Sequence, residues 1–151
     1  MALKEKLQND LTEAMRARDE VRSTIRMVLT AIKNEEVSGK EARDLSDAEV
    51  ITVLSREAKK RREAAEAFEQ AGAKDRADNE KAEGVIIAGY LPAQLGESEI
   101  KELIATAIKE TGASGPQQMG LVMKSIQPKI AGRADGGLVS SLVKAALSGG
   151  N

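Results

Sequence analysis

From Leu3 the apolar positions step by four through Leu7, Leu11 and Met15, tracing one face of a helix. The phase then slips and resumes at Val21, Ile25, Val28, Leu29 and Ile32. The pattern therefore predicts two helices with a break near residues 17–19 and Asp19 as the cap of the second. Val37, Ser38 and Gly39 end that helix. Ser46 and Glu49 have the spacing of a capping box, in which hydroxyl and carboxylate satisfy opposite backbone donors at a helix start. A long helix should follow to about Ala71, with Gly72 as its terminator. A fourth segment, from about Asp75 to Leu91, is expected to turn Ala82, Val85, Ile86 and Tyr90 inward, and Pro92 stops it.

The run Leu91-Pro92-Ala93-Gln94-Leu95-Gly96 reads as a domain boundary, because charge density drops after it. Three shorter amphipathic segments follow. The first begins near Gly96, carries Ile100, Leu103, Ile104, Ala107 and Ile108 on one stripe, and ends at Gly112. Pro116 suits the first turn of the next, whose buried stripe is Met119, Val122, Met123 and Ile126. Pro128 should kink or stop it. The last begins near Asp135 and turns Leu138, Val139, Leu142, Val143 and Leu147 inward. The expected fold class is all-α, with a larger N-terminal helical domain over residues 1–92 and a small three-helix bundle over residues 93–151.

Composition supports this reading. The chain is 41% hydrophobic and 31% charged, with one Phe, one Tyr and no Trp, so any core is built from Leu, Ile, Val, Met and Ala. With no Cys and no His, disulfides, thiolate nucleophiles, the commonest metal ligand and the usual neutral-pH general base are all excluded. No cofactor and no metal is implied. The N-terminus shows no apolar run of signal-peptide length, and no 18 apolar residues follow one another. A cytoplasmic protein without a membrane partner is expected.

Charge changes the picture only locally. The net value is −1, yet from Met119 onward Lys124, Lys129, Arg133 and Lys144 face a single acid, Asp135, a local balance of +3. That asymmetry hints at an anionic partner. A second basic run, Lys59 to Arg62, cannot present four side chains on one helical face, since successive residues turn by about 100°. Lys59 with Glu63 and Arg62 with Glu66 have ion-pair spacing, which favours a solvated, salt-bridged face over an RNA-binding one.

The corner from Pro128 to Gly137 is the remaining candidate. It is not a Walker loop: neither its glycines nor Gly120 and Lys124 fit the spacing, and no strand precedes them. A dinucleotide fingerprint is absent. Ser140 with Lys144 lies on a helix surface without an oxyanion hole, and the acids Glu35, Glu36, Glu97 and Glu99 lie at helix ends without an apolar pocket. Within the corner, Gly132 can end one helix in the left-handed conformation and Asp135 can cap the next, so the fold explains both. Lys129 and Arg133 are left over. Gly136 and Gly137 would keep the start of the last helix open to a phosphate, although Asp135 competes for the same donors. With almost no aromatics, base stacking is excluded as the main mode, leaving salt-dependent readout of backbone and shape.

Met119-Gly-Leu-Val-Met-Lys124, Pro128-Lys-Ile-Ala-Gly-Arg-Ala-Asp-Gly136 and Val139-Ser-Ser-Leu-Val-Lys144 resemble the signature of the YqeY family. Tyr90-Leu-Pro-Ala-Gln-Leu95, Ile25-Arg-Met27 and Lys33-Asn-Glu35 are similar as well, so the resemblance covers nearly the whole chain. These are free-standing relatives of the C-terminal region of GatB, a subunit of the tRNA-dependent Asp/Glu amidotransferase. The resemblance implies an all-α, two-domain protein that binds tRNA, with Lys124, Lys129, Arg133 and Lys144 as candidate RNA contacts and a protein partner in tRNA-dependent amidation. A helical protein-interaction module is the alternative. Kinship also carries the label of a glutamine-dependent carbon–nitrogen ligase, but the chain lacks a Cys glutaminase, a glycine/serine amidase signature and an ATP loop, so no catalytic residue is assigned. Two positions depart from the family: Gly96 replaces a usual Ser N-cap, and Gly84 lies in a helix that relatives fill with better helix formers.

Overall fold

The computed structural model describes residues 2–149, and among them every regular element is helical. The helices are α1 (Ala2–Arg16), α2 (Val21–Glu36), α3 (Asp47–Gln70), α4 (Lys74–Ala88), α5 (Glu97–Thr111), α6 (Met119–Ile130) and α7 (Gly136–Leu147). A 3₁₀ turn, Pro116–Gln118, leads into α6. The contacts gather into two units, one up to Pro92 and one from Ala93, each with its own buried cluster. No described helix is long and apolar enough to cross a membrane.

In the first unit Leu7, Ile25, Ile32, Leu45, Val50 and Leu54 form the centre of the core. The stripe expected on α1 drifts: strict steps of four rotate by about 40° each, so by Met15 the position has left the buried face. Met15 is 52% exposed and Ala14 is buried instead. The break before α2 is closed by Arg18 in the left-handed region, φ 55°, with the Asp19 N–H donating to the Ala14 carbonyl at 2.8 Å. Arginine there costs about 1 kcal/mol that glycine would not, which is why no glycine announced this turn. Asp19 accepts from the Val21 N–H at 3.0 Å, close to its expected capping role. The Ser46–Glu49 capping box forms in both directions, and Gly72 ends α3 with φ 75°.

On α4 the expected inward set is corrected. Ala82 is exposed and Val85 is 72% exposed, whereas Ala77 and Ile87 are buried, with Glu80 and Gly84 half-buried. Ile86 and Tyr90 pack against the core as expected, so the inner face mixes these with Ala77, Ile87 and a half-buried Glu80, and hydrophobicity misplaced only Ala82 and Val85. Arg61 of α3 explains the charge. Its guanidinium is 3.2 Å from Glu57, 3.4 Å from Glu80 and 3.7 Å from Glu83, and Nη2 lies 2.9 Å from Met27 Sδ. The run Lys59 to Arg62 therefore contributes one half-buried cation that joins α3 to α4, with Lys59, Lys60 and Arg62 exposed. A Cβ on Gly84 would sit 3.7 Å from Arg61 Cβ, an ordinary contact. Gly84→Ala is therefore expected to stabilise the protein by about 1 kcal/mol, read as a higher urea midpoint at unchanged slope.

The second unit packs α5, α6 and α7 around Ile104, Val122, Ile126, Val139 and Val143. Gly112 ends α5 with φ 69°, and Gly96 starts it without a side-chain cap. Pro128 neither stops α6 nor removes its last turn: the helix runs to Ile130, and the Ala131 N–H still reaches the Gln127 carbonyl at 3.0 Å. The lost bond falls in the final turn, and buried Ile130 anchors the segment. Leu138, expected inward, is 40% exposed, because the buried stripe of α7 runs through Val139, Val143 and Leu147.

Candidate nucleic-acid interface

The corner between α6 and α7 is built from backbone outward. Ala131 leaves the helical region, Gly132 takes φ 71°, and the Arg133 N–H closes the turn on the Ile130 carbonyl at 2.8 Å. The chain just before α5 locks this turn from the side. Gln94 Nε2 donates to the Gly132 carbonyl at 2.8 Å, the Leu95 N–H donates to the Arg133 carbonyl at 2.8 Å, and Arg133 Nε donates to the Ala93 carbonyl at 3.0 Å. The turn thus uses Arg133, whose side chain the sequence had left over as superfluous to the fold. Nothing local in the sequence connects residues 93–95 to residue 133, so that role was not legible beforehand.

Asp135 occupies the N-cap position of α7 in extended backbone, φ −70° and ψ 124°, but its carboxylate makes no cap hydrogen bond. The expected capping role is corrected in that respect. A Cβ on Gly136 would meet nothing within 4 Å, so the backbone at the start of α7 is open to approach.

Of the four candidate cations, two converge. Lys129 and Arg133 line one groove of about 540 Å³ in the second unit, together with Leu95, Leu103, Pro128 and Thr106 and the acids Glu99 and Glu102. Lys124 does not line it: it is exposed on α6 roughly 200° from Val122 and Ile126, opposite the buried stripe. Lys144 is exposed in the last turn of α7 and does not line it either. The cations therefore spread over the surface of the second unit, suited to several separated phosphates rather than one. The acids at the groove were missed because Glu99 read only as a helix-end acid and Glu102, further along α5, carried no local signal.

A family model described as "Yqey-like protein" matches residues 4–147. The protein named "Altered inheritance of mitochondria protein 41, mitochondrial" from Clavispora lusitaniae is 31% identical over 147 residues, covering 95% of this chain and 84% of that one. Its namesake from Pyrenophora tritici-repentis is 31% identical over 134 residues, covering 85% and 71%. A match that runs from α1 to the end of α7, across both helical units and the basic corner, leaves one assignment: the chain belongs to the YqeY family.

Proposed function

We propose that this protein is a non-catalytic accessory factor that binds tRNA through the surface of its second unit, in the cytoplasm and alongside a protein partner in tRNA-dependent amidation. The observation that carries the reading is the exposed Lys124, Lys129 and Lys144 of the second unit, which together with Arg133 outnumber the one acid in the chain from Met119 onward. Charge spread in this way suits the phosphate backbone of folded RNA, whose binding needs no aromatic platform. The two relatives are named as mitochondrial proteins, and the cytoplasmic location is part of the proposal. We also propose that residues 1–92 and 93–151 act as separate domains, the second carrying the RNA contacts.

The test is a mobility-shift titration with tRNA at two salt concentrations. With four phosphate contacts, affinity should fall about 50- to 150-fold between 50 and 200 mM salt. Lys129→Ala with Arg133→Ala should weaken binding at both concentrations. Equal, negligible binding at both, with no effect of the double change, would leave the protein-interaction module as the better reading.

A further inference from the structure

The groove beside Lys129 carries an observation that the RNA reading does not use. Glu99 and Glu102, one turn apart on α5, line it together with Lys129 of α6 and Arg133 of the turn that follows. Opposite charges along one groove can close on each other. Here they do not: among the described residues, the side chains of Glu99, Glu102 and Lys129 enter no hydrogen bond or ion pair. Elsewhere on α5 the same kind of pair does form, as Lys101 with Glu97 at 3.4 Å. Arg133 is held in place by its Nε bond to the Ala93 carbonyl, which fixes its guanidinium at the groove's edge. Leu95, Leu103, Thr106 and Pro128 line the same groove and give it an apolar part.

A groove lined by acids from one helix, by cations from another segment and by apolar side chains is complementary to a molecule with a cation at one end, an anion at the other and an apolar side group. From this we infer that the groove binds a small zwitterion bearing an ammonium and a carboxylate, a free α-amino acid or a short peptide with free ends. The ammonium pairs with Glu99 and Glu102, the carboxylate with Lys129 and Arg133, and the side group rests on Leu103 and Pro128. Charge-assisted hydrogen bonds at both ends give orientation, and the open groove keeps affinity modest, with a Kd of about 1 mM. A volume of about 540 Å³ exceeds what one amino acid fills, so a dipeptide is expected to bind more tightly than its component amino acid.

The inference does not depend on tRNA binding and is tested without RNA. Two-dimensional amide NMR of the full chain is followed during titration with L-leucine, alanyl-leucine, N-acetyl-leucine and leucinamide. Leucine and alanyl-leucine should shift residues 95–106 and 128–133, and the relative strength of these two separates amino acid from peptide. N-acetyl-leucine, which lacks the ammonium, and leucinamide, which lacks the carboxylate, should each bind about tenfold more weakly. Glu99→Gln with Glu102→Gln should weaken leucine about tenfold and leave N-acetyl-leucine unchanged, while Lys129→Gln should do the converse for leucinamide. These three side chains are exposed, so the variants keep the wild-type spectrum outside the groove. No shifts at about 20 mM leucine and alanyl-leucine, or N-acetyl-leucine and leucinamide binding as well as leucine, overturns the inference.

Discussion

Arg61→Met is expected to destabilise the first unit by about 4 kcal/mol, the largest single-residue effect in the protein outside its apolar core. The guanidinium faces three carboxylates, and Glu57 among them is only 7% exposed. Removing the cation leaves Glu57, Glu80 and Glu83 at the α3–α4 contact with only the exposed Lys60, 3.3 Å from Glu57, to offset them. Methionine keeps much of the stem's packing, so the loss reports charge rather than volume. Against a typical domain stability of about 5–15 kcal/mol, this removes roughly a quarter or more of the total. Arg61→Lys should recover only part, because a compact ammonium cannot address carboxylates around a planar fork. Urea denaturation followed by far-UV circular dichroism measures both, and wild-type-like stability of Arg61→Met would show that the network is solvated and without weight.

Lys4→Met comes next, at about 3 kcal/mol. Glu36 ends α2, where a negative charge opposes the helix dipole, and it is 3% exposed. It is tolerated because Lys4 of α1 donates to both of its oxygens, at 2.9 and 2.7 Å. Lys4 is itself 21% exposed, which places its loss at the lower end of the range for broken buried pairs. Adding Glu36→Leu to Lys4→Met should restore most of the stability, since the uncompensated charge is gone; a double change that is merely additive would contradict this.

The same pair sets a pH dependence. The hydrogen bonds from Lys4 hold the Glu36 carboxyl below its ordinary 4.5, and those from Lys6 and Tyr90 hold Asp10 below 3.8. A carboxyl whose pKa is lower in the folded state contributes stability that is complete above the unfolded value and is lost as pH falls through the folded one. The first unit should therefore weaken as pH drops below about 4.5, and Lys4→Met should weaken less steeply there. At the other extreme burial and Asp10 push the Tyr90 hydroxyl up from 10, and Glu36 raises Lys4 above 10.5. Both contributions are complete below those ordinary values and are lost as pH rises through the folded ones, so stability falls again above about pH 10.

These two polar clusters also mark where sequence reading reached its limit. The helices, the Ser46 capping box and the glycine stops at Gly72, Gly112 and Gly132 were legible because each is a local decision between residues a few positions apart. The stripe of α5 was legible because its apolar residues face one apolar core. The inner face of α4 was legible only in part: Ile86 and Tyr90 were placed, but the half-buried Glu80 depends on Arg61, 19 residues before it on another helix. Glu36 read as a solvated helix-end acid for the same reason: its partner lies on another helix. At the corner, Gly132 and the basic motif were visible, but the bond from Arg133 to Ala93 and the acids facing Lys129 depend on how α5 returns to α6.

The most direct test of the account is the salt dependence of tRNA binding by the wild type and by a triple change, Lys124→Gln, Lys129→Gln and Lys144→Gln. All three side chains are exposed, and unlike Arg133 none of them holds the turn, so the fold should be unaffected. The account predicts that the slope of log affinity against log salt falls by about 2 to 3 in magnitude in the triple variant, close to the number of phosphate contacts removed. An unchanged slope with unchanged affinity would contradict it and place any RNA contact elsewhere on the chain.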